Sequence, residues 1–386
     1  MDCAGGKVIA AVMTAAAAAA ISTIQLFGDG SKDVLSKVFS PAQKATPDFS
    51  CGNILHGHII SENEIIDEVI VGCEGNSNFC ISCHGNPFIV ENIMTLLGSL
   101  GVEIVNSSEM LRQLAVESLG DDSIAVEAQV FLPSAVTVAG AKIINHQIVM
   151  GLAQSCQWWL DNLDGLDIED IAAGALQIVA DSKIAQRIIS GAKIVLAGEP
   201  NSGKSTLFNC LCGSEKAMVT EIAGTTRDWL SVRIDFGNVI IELFDTAGID
   251  EKLMAKSEVD AESQKRAAAL RDNCDLVLDV VDLSNGIGGR EFLPQSLTVL
   301  NKCDIAGVVD VSSLTNSVSV SAKTLAGMDG LKEKIVQMLG VAEFDLKKTV
   351  CFTARQMELM KQLSATDKKE NALNIITQLL NGQVFV

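Results

Sequence analysis

The sequence predicts a multidomain protein of the α/β and α+β classes, in which a mostly parallel α/β domain is inserted into a helical domain that follows a small α+β domain. Residues 191–344 alternate short apolar runs with helical stretches, the pattern of a parallel sheet with crossover helices. Residues 106–190 and 345–386 show helical periodicity on either side of that region. Residues 1–105 mix β-rich runs with an amphipathic helix.

Composition limits the possible classes of function. The 386 residues are 48% hydrophobic, which is ample for several buried cores. The formal net charge of −19 argues against general electrostatic binding to nucleic acid, so an RNA contact would need a local basic patch or a partner protein. The eleven cysteines and four histidines do not form the two C-x2-C pairs typical of a structural zinc site, and we expect mostly free thiols in a reducing compartment.

The first 105 residues contain two patterns that suggest export. Residues 7–27 form an apolar run that resembles a signal peptide, although polar residues interrupt it. Cys80-Ile-Ser-Cys83-His84 is the C-x-x-C-H pattern that attaches c-type haem. In the competing interpretation this second stretch is a β-rich run that leads into the helix predicted at residues 87–101.

A phosphate-binding loop follows the first predicted strand of the α/β domain. The pattern G-x-x-x-x-G-K-S spans Gly198–Ser205, between an apolar run and a predicted helix. Gly198 and Gly203 would let the backbone curl so that several N–H groups point at phosphates. Lys204 would reach the β- and γ-phosphates, and the Ser205 hydroxyl would bind Mg²⁺.

Four further motifs occur in the order expected of a guanine-nucleotide site. Asp245, which ends an apolar strand in D-T-A-G, can hold Mg²⁺ through water, and the N–H of Gly248 can reach the γ-phosphate. The carboxylate of Asp304 in N-K-C-D can pair with N1–H and the 2-amino group of guanine, a match that adenine cannot make. The S-A-K stretch at Ser321–Lys323 would contact the guanine O6, and T-E-I-A-G-T-T-R-D at 220–228 supplies a threonine for Mg²⁺.

Together these motifs predict a GTP-binding domain, because each stands at the end of a predicted strand or in a loop between two strands. The competing interpretation, an α/β domain with chance matches, would not explain five motifs in the right order. The predicted nucleotide-binding residues are Asn201, Ser202, Gly203, Lys204, Ser205, Thr206, Thr220, Glu221, Ile222, Ala223, Gly224, Thr225, Thr226, Asp245, Thr246, Ala247, Gly248, Asn301, Lys302, Asp304, Ser321, Ala322 and Lys323.

With these motifs the chain resembles the MnmE (TrmE) family of tRNA-modification GTPases. The resemblance rests on P-N-S-G-K-S-T-L-F-N-C-L, G-T-T-R-D, D-T-A-G-I, N-K-C-D and S-A-K-T, and it is strong over residues 191–340 and weaker elsewhere. In that family a strand that ends in Cys-His-Gly leads into a helix, as I-S-C-H-G-N-P-F-I-V-E-N-I does here. The resemblance therefore implies no haem, a buried strand pair at residues 7–27, and a cytoplasmic protein with no membrane association.

The resemblance also implies how GTP would be hydrolysed. Family members use K⁺ where other GTPases use an arginine finger, and their G domains dimerise face to face across the nucleotide. Thr226 would be the switch ligand of Mg²⁺. The K⁺ ligands would be Asn201 and, from the loop that closes over the ion, Thr220, Ile222 and Thr225.

The family has a glutamate after D-T-A-G that orients the attacking water. The corresponding position here is Asp260, with Glu258 and Glu262 as neighbours, and catalysis is assigned to Lys204 and Asp260. Because aspartate is one methylene shorter, hydrolysis would proceed through an extra water or slowly. The alternative is that these three acids lie solvated on a helix.

Two departures from the family concern tRNA chemistry. The family ends in a short tail with a cysteine that tRNA modification requires, whereas this sequence ends in L-L-N-G-Q-V-F-V. The folate-binding arginine, acid and lysine of the family fall on Gln25, on Cys80 and near Gly120. These differences argue against a bound folate derivative.

Three functions follow from these observations. The first is hydrolysis of GTP to GDP with Mg²⁺ and K⁺ in tRNA wobble-uridine modification, with tRNA and an MnmG-like flavoprotein as partners of a homodimer. The second is a regulatory or assembly GTPase derived from the family, without tRNA-modifying activity. The third is a module that binds GTP without hydrolysing it, which rests on Asp260 alone.

Overall fold

The computed structural model describes residues 7–14, 18–43, 46–62, 64–120, 122–213, 217–218, 231–245, 273–287, 293, 296–307, 311, 314, 316–382 and 384. The chain divides into two units, one from Met1–Val130 with Asn381–Val386 and one from Phe131–Leu380. Within the described residues, every helix is too short or too polar to cross a membrane.

The first unit is built on a sheet with seven described strands. They are β1 (Ile9–Val12), β2 (Ile21–Phe27), β3 (Phe39–Pro41), β4 (Ile54–Ser61), β5 (Glu64–Cys73), β6 (Asn78–His84) and β7 (Glu103–Ile104). Their spatial order is β3-β4-β5-β6-β2-β1-β7, and neighbours are antiparallel except β1 and β7. The helices are α1 (Ser31–Val38), α2 (Pro87–Ser99), α3 (Ser107–Leu119) and α4 (Ser123–Phe131).

The apolar run at residues 7–27 supplies two neighbouring strands of this sheet. β1 and β2 pair antiparallel, with Ala10 opposite Leu26. Ala10, Ile24 and Leu26 are fully buried in the core of the first unit. The hydrophobicity of the run is therefore explained by burial on a sheet, as the resemblance implies.

The C-x-x-C-H pattern lies on β6. Residues three apart on a strand point to opposite faces of the sheet. Accordingly Cys83 is buried in the core at 3% exposure, whereas Cys80 is half-buried on the other face. The Cys83 thiol faces the carbonyl oxygen of Ser22 at 3.6 Å. Two thiols on opposite faces of a sheet are not placed to bond to one haem.

A buried carboxylate holds the turn after β6. Asp67 accepts a hydrogen bond from the backbone N–H of His84 at 2.8 Å and pairs with Nδ1 of the same residue at 2.7 Å. A Cβ on Gly85 would lie 2.2 Å from the carbonyl oxygen of Ala19, so a glycine is required there. Helix α2 then begins at Pro87, a favoured first helical residue.

The second unit begins with the helices α5 (Val138–Val149), α6 (Leu152–Asn162) and α7 (Ile168–Ser190). Its described strands are β8 (Ala192–Ala197), β9 (Ala217–Met218), β10 (Ser231–Asp235), β11 (Ile240–Asp245), β12 (Leu276–Asp282), β13 (Leu297–Asn301) and β14 (Ser317–Ser319). The described helices that follow β8 are α8 (Lys204–Cys212), α9 (Met328–Met338), α10 (Ala354–Ser364) and α11 (Lys369–Asn381).

The sheet of the second unit has the order β14-β13-β12-β8-β11-β10-β9. The five strands from β14 to β11 in this order are parallel, whereas β10 is antiparallel to both of its neighbours. The carboxyl ends of the five parallel strands therefore lie at one edge of the sheet, where ligands bind in open α/β folds. The predicted fold class, with its mostly parallel sheet, is confirmed.

A helix that precedes the sheet of the second unit in the sequence packs against a helix that follows it. Helix α10 packs on α7, and Nε2 of the fully buried Gln147 in α5 donates to the carbonyl of Lys348 at 3.0 Å. Arg187 of α7 then joins the helices to the sheet region, because Nε donates to the carboxylate of Asp275 at 2.8 Å and a second nitrogen donates to the carbonyl of Leu339 at 2.7 Å. These contacts are those of an α/β region inserted between helices that pack together.

Candidate functional site

The loop between β8 and α8 has the tight backbone that its sequence predicts. Gly198 has a φ of +137°, and a Cβ there would lie 2.2 Å from the carbonyl oxygen of Val280. Gly203 has a φ of +95°, and a Cβ there would lie 2.2 Å from Nδ2 of Asn301. Asn201 also has a positive φ of +64°. The loop thus curls at the N-terminus of α8, where the helix dipole favours anions.

Lys204 brings a positive charge into this loop. The residue is 6% exposed, and Nζ donates to the carbonyls of Gly198 at 3.0 Å and Glu199 at 2.9 Å. The ammonium group is therefore held against the backbone of the loop. A fixed cation beside the N-terminus of a helix is suited to a polyphosphate.

Oxygen ligands for a divalent cation lie at the same edge of the sheet. Asp245 is the last residue of β11, is 4% exposed, and pairs in register with Leu196 of β8, the strand that leads into the loop. Ser205 and Thr206 are exposed in the first turn of α8. The charge of Asp245 also affects a nearby thiol, because burial and this charge together raise the pKa of Cys212 to about 11. Hydroxyl and carboxylate oxygens suit Mg²⁺, so these residues fit the predicted ion.

Asn301 joins the phosphate-binding loop to a second loop after β14. It ends β13 and is 2% exposed. Nδ2 donates to the carbonyl of Ser202 at 2.9 Å, and Oδ1 accepts from the backbone N–H of Ala322 at 3.0 Å. One side-chain amide thereby ties the predicted phosphate-binding residues to the residues predicted to contact guanine.

Lys302 makes a second connection to the phosphate-binding loop. Nζ donates to the carbonyl of Asn201 at 2.9 Å and to the carboxylate of Asp282 at 2.6 Å. Burial acts to raise the pKa of Asp282, but hydrogen bonds from Lys302 and Ser284 outweigh it and lower the pKa, so the carboxylate of Asp282 stays ionised at neutral pH. Asp282 is absent from the predicted site, although its place at the end of an apolar strand was a signal in the sequence.

The residues predicted to read the base lie on the loops after β13 and β14. Asp304 and Lys323 are exposed on these two loops. The loops are joined because the backbone N–H of Cys303 donates to the carbonyl of Val320 at 3.1 Å. Ser321 is fully buried, and its Oγ accepts a backbone N–H from within its own loop at 3.1 Å.

The predicted switch residues and the predicted catalytic acid lie outside the described residues, whereas the other predicted catalytic residue, Lys204, lies within them. Those outside are Thr220, Glu221, Ile222, Ala223, Gly224, Thr225, Thr226, Thr246, Ala247, Gly248 and Asp260, together with Glu258 and Glu262. The structure brings together the other predicted residues, namely Asn201, Ser202, Gly203, Lys204, Ser205, Thr206, Asp245, Asn301, Lys302, Asp304, Ser321, Ala322 and Lys323, at the carboxyl edge of the parallel strands.

The positions expected for a folate site do not present suitable chemistry. Gln25 is 6% exposed, and its amide donates to Glu74 at 2.8 Å and to Asn78 at 2.5 Å. Cys80 lies opposite Gln25 in the register of β2 and β6, and Gly120 follows α3. Folates carry carboxylates, whereas the charged partner of Gln25 is itself a carboxylate. These residues therefore do not fit the anionic tail of a folate.

Comparison with known proteins agrees with the geometry. A family model described as 50S ribosome-binding GTPase matches residues 193–324. The tRNA modification GTPase MnmE of Lachnoclostridium phytofermentans is 26% identical over 376 residues, which cover 86% of this chain and 81% of the relative. MnmE of Lactococcus lactis subsp. lactis is 28% identical over 94% of this chain and 88% of its own length. MnmE of Endomicrobium trichonymphae is 29% identical, with 87% and 82% covered.

Solved structures of GTPases are also similar. The G domain of the T. maritima FeoB iron transporter is 26% identical and matches 38% of this chain and 98% of its own, with a TM-score of 0.28. A variant of Aquifex aeolicus Era bound to GDP·AlF4⁻ is 22% identical, with 44% and 64% covered and a TM-score of 0.30. The sequence comparisons confirm the predicted resemblance to the MnmE family and the predicted class of enzyme. The chain is a GTPase.

Proposed function

We propose that this chain binds GTP with Mg²⁺ at the described site and hydrolyses it in the modification of tRNA wobble uridines. The partners would be tRNA, a second copy of the chain and an MnmG-like flavoprotein. The tRNA part of the proposal is supported by similarity to proteins named tRNA modification GTPase MnmE, which extends over 86–95% of the chain in the relatives given above and in others. The GTP part is supported most directly by Asn301, whose amide joins the phosphate-binding loop to the loop at Ala322.

The phosphate end of the site would stabilise the charge of the nucleotide. Lys204 and the backbone N–H groups at the start of α8 would face the β- and γ-phosphates, where negative charge shifts during transfer. Bound Mg²⁺ would neutralise part of this charge. Ser205 and Thr226 would be its direct ligands, with Asp245 acting through water.

The proposal extends to K⁺ and to the attacking water. Asn201 is exposed at the loop, and its amide oxygen is a ligand of the type that K⁺ takes. With Thr220, Ile222 and Thr225 it would hold a cation that adds positive charge beside the phosphates. The carboxylate of Asp260 would orient the water that attacks the γ-phosphate.

The nucleoside composition of tRNA tests the proposal. In a strain that lacks this gene, we expect hydrolysed tRNA to lose a modified wobble uridine. The wild-type gene should restore the nucleoside, Lys204→Ala should not, and Lys193→Ala, which changes an exposed lysine on β8 outside the loop, should restore it. An unchanged nucleoside profile in the deletion strain would exclude the tRNA part.

A regulatory or assembly GTPase is the second candidate function. The observation that favours it is the cluster of Gln25, Glu74, Asn78 and Cys80, which does not fit a folate. This candidate predicts normal wobble nucleosides together with retained GTP hydrolysis. A chain that binds GTP tightly but has negligible turnover would instead indicate that Asp260 does not replace a glutamate.

A further inference from the structure

Cys210 contacts the loop that is proposed to read guanine, although it is not one of the predicted nucleotide-binding residues. It lies in α8, the helix that begins at Lys204, and is half-buried. Its Sγ donates to the carbonyl oxygen of Ala322 at 2.8 Å. Burial raises the pKa of the Cys210 thiol, so the group keeps its proton at neutral pH and can act as a donor. Helix α8 therefore holds both the phosphate-binding loop and the loop after β14.

The hydrogen bond from Cys210 holds the carbonyl group of Ala322 in place. The N–H of Ala322 is already held by Oδ1 of Asn301 at 3.0 Å, and the carbonyl is held by Cys210. In a planar trans peptide the carbonyl and the following N–H point in opposite directions. The N–H of Lys323 is consequently directed away from Cys210, and its direction is set by the same contact.

These hydrogen bonds connect the phosphate-binding loop, the loop after β14 and helix α8 to one another. Ser202 is bonded to Asn301, Asn301 to Ala322, and Ala322 to Cys210 on the helix that follows Ser202 in the chain. A displacement of the loop after β14 would therefore strain the phosphate-binding loop. The same hydrogen bonds therefore stabilise both the loop proposed to contact the base and the loop proposed to bind the phosphates.

We infer that Cys210 is a positioning residue for guanine recognition, which orients the Ala322–Lys323 peptide toward the O6 edge of the base. The inference rests on the proposed guanine site. It makes Cys210 a determinant of which purine is bound, acting through the loop and not by touching the nucleotide. It also distinguishes Cys210 from Asp304, which is proposed to read N1–H and the 2-amino group.

The test compares three nucleotides on two variants. Dissociation constants are measured with Mg²⁺ for GTP, for ITP, which keeps O6 but lacks the 2-amino group, and for 2-aminopurine riboside triphosphate, which lacks O6. Cys210→Ala removes the donor and should weaken GTP and ITP by a common factor of about two to five, the scale of a weak S–H···O bond, with the third nucleotide unchanged. Cys210→Ser keeps a donor and should bind GTP within about twofold of wild type.

Asn209→Ala is the matched control, because Asn209 is the exposed neighbour of Cys210 on the same helix. It should leave all three constants unchanged. The inference is overturned if Cys210→Ala binds GTP as tightly as wild type, or if it weakens all three nucleotides equally, as general destabilisation would. If wild type itself does not prefer GTP to the nucleotide that lacks O6, the proposed guanine site fails as well, so the two failures are distinguishable.

Discussion

At the scale of single residues, Lys204 places a positive charge against the backbone of the phosphate-binding loop. Its ammonium group contacts the carbonyls of Gly198 and Glu199. Lys204→Ala should lower kcat/KM for GTP by about 100-fold or more, because charge that develops on the phosphates would lose its partner. Steady-state phosphate release measures the effect, with Lys193→Ala as the exposed-lysine control. Activity that survives Lys204→Ala would remove this residue from the site.

Asp304 gives a second prediction at the residue scale. Its carboxylate is exposed on the loop after β13 and is proposed to accept from N1–H and the 2-amino group of guanine. Asp304→Asn should weaken GTP by about 100-fold and favour XTP, whose C2 carbonyl can accept from the new amide. Competition binding measures both constants. Asp329→Asn, an exposed change in the first turn of α9, should alter neither, and an unchanged preference in Asp304→Asn would contradict the assignment.

The sequence was sufficient to propose these residues for the site but not to predict their mutual contacts. Lys204, Asn301 and Asp304 stand in motifs whose order and strand-end positions indicate GTP. The bond from Asn301 to Ser202 and the bond from Cys210 to Ala322 join residues about a hundred positions apart. Such contacts depend on how strands and helices pack, and no local pattern encodes them.

At the scale of elements, the phosphate-binding loop depends on two glycines for different reasons. At Gly198 an added Cβ would meet backbone, the carbonyl of Val280, whereas at Gly203 it would meet the side chain of Asn301. Backbone cannot yield as a side chain can, so Gly198→Ala should be the more damaging change. Both positions also have positive φ, which disfavours alanine by about 1 kcal/mol or more.

Gly198→Ala should therefore weaken GTP binding by about tenfold or more, because the loop must open to admit the new methyl group. Gly237→Ala separates this clash from simple strain, since Gly237 has a φ of +89° with no atom within 4 Å of an added Cβ. The control should lose stability by about 1 kcal/mol without a change in GTP affinity. Binding titrations and urea unfolding measure the two effects, and equal loss of affinity in both variants would contradict the account.

Element prediction succeeded where periodicity and spacing agreed. The alternating runs of residues 191–344 indicated a mostly parallel sheet, which is observed. The run at residues 7–27 was ambiguous, because a buried strand pair and a signal peptide have similar hydrophobicity. Strand pairing distinguishes the two interpretations, and β1 and β2 pair with each other in this structure. The order of strands in each sheet likewise needed the structure.

At the scale of the whole molecule, two thiols with raised pKa values make stability sensitive to alkaline pH. Burial and the charge of Asp67 raise the pKa of Cys83 in the first unit to about 11, and Cys212 in the second unit has a similar value. A thiol whose folded pKa is raised stabilises the fold fully below its unfolded pKa, near 9, and this contribution is lost as pH rises toward 11.

The urea concentration at half-unfolding should accordingly fall between pH 9 and pH 11. The corresponding loss in the free energy of unfolding is at most about 1.4 kcal/mol per pH unit for each group. Cys83→Ala should unfold at lower urea than wild type but with a shallower dependence on pH, because one raised pKa is removed. Cys51→Ala, a change at an exposed thiol, should keep the wild-type slope. Identical slopes in all three proteins would contradict the account.

At this scale, the proposed activity is hydrolysis of GTP with both K⁺ and Mg²⁺. The test is steady-state GTP hydrolysis by the purified 386-residue chain in KCl and in NaCl at equal ionic strength, with Mg²⁺ in both. We expect strong stimulation by K⁺, and loss of that stimulation in Asn201→Ala. Turnover that is equal in the two salts would contradict the proposed role of Asn201, and absence of GTP turnover in both salts would contradict GTP hydrolysis by this chain.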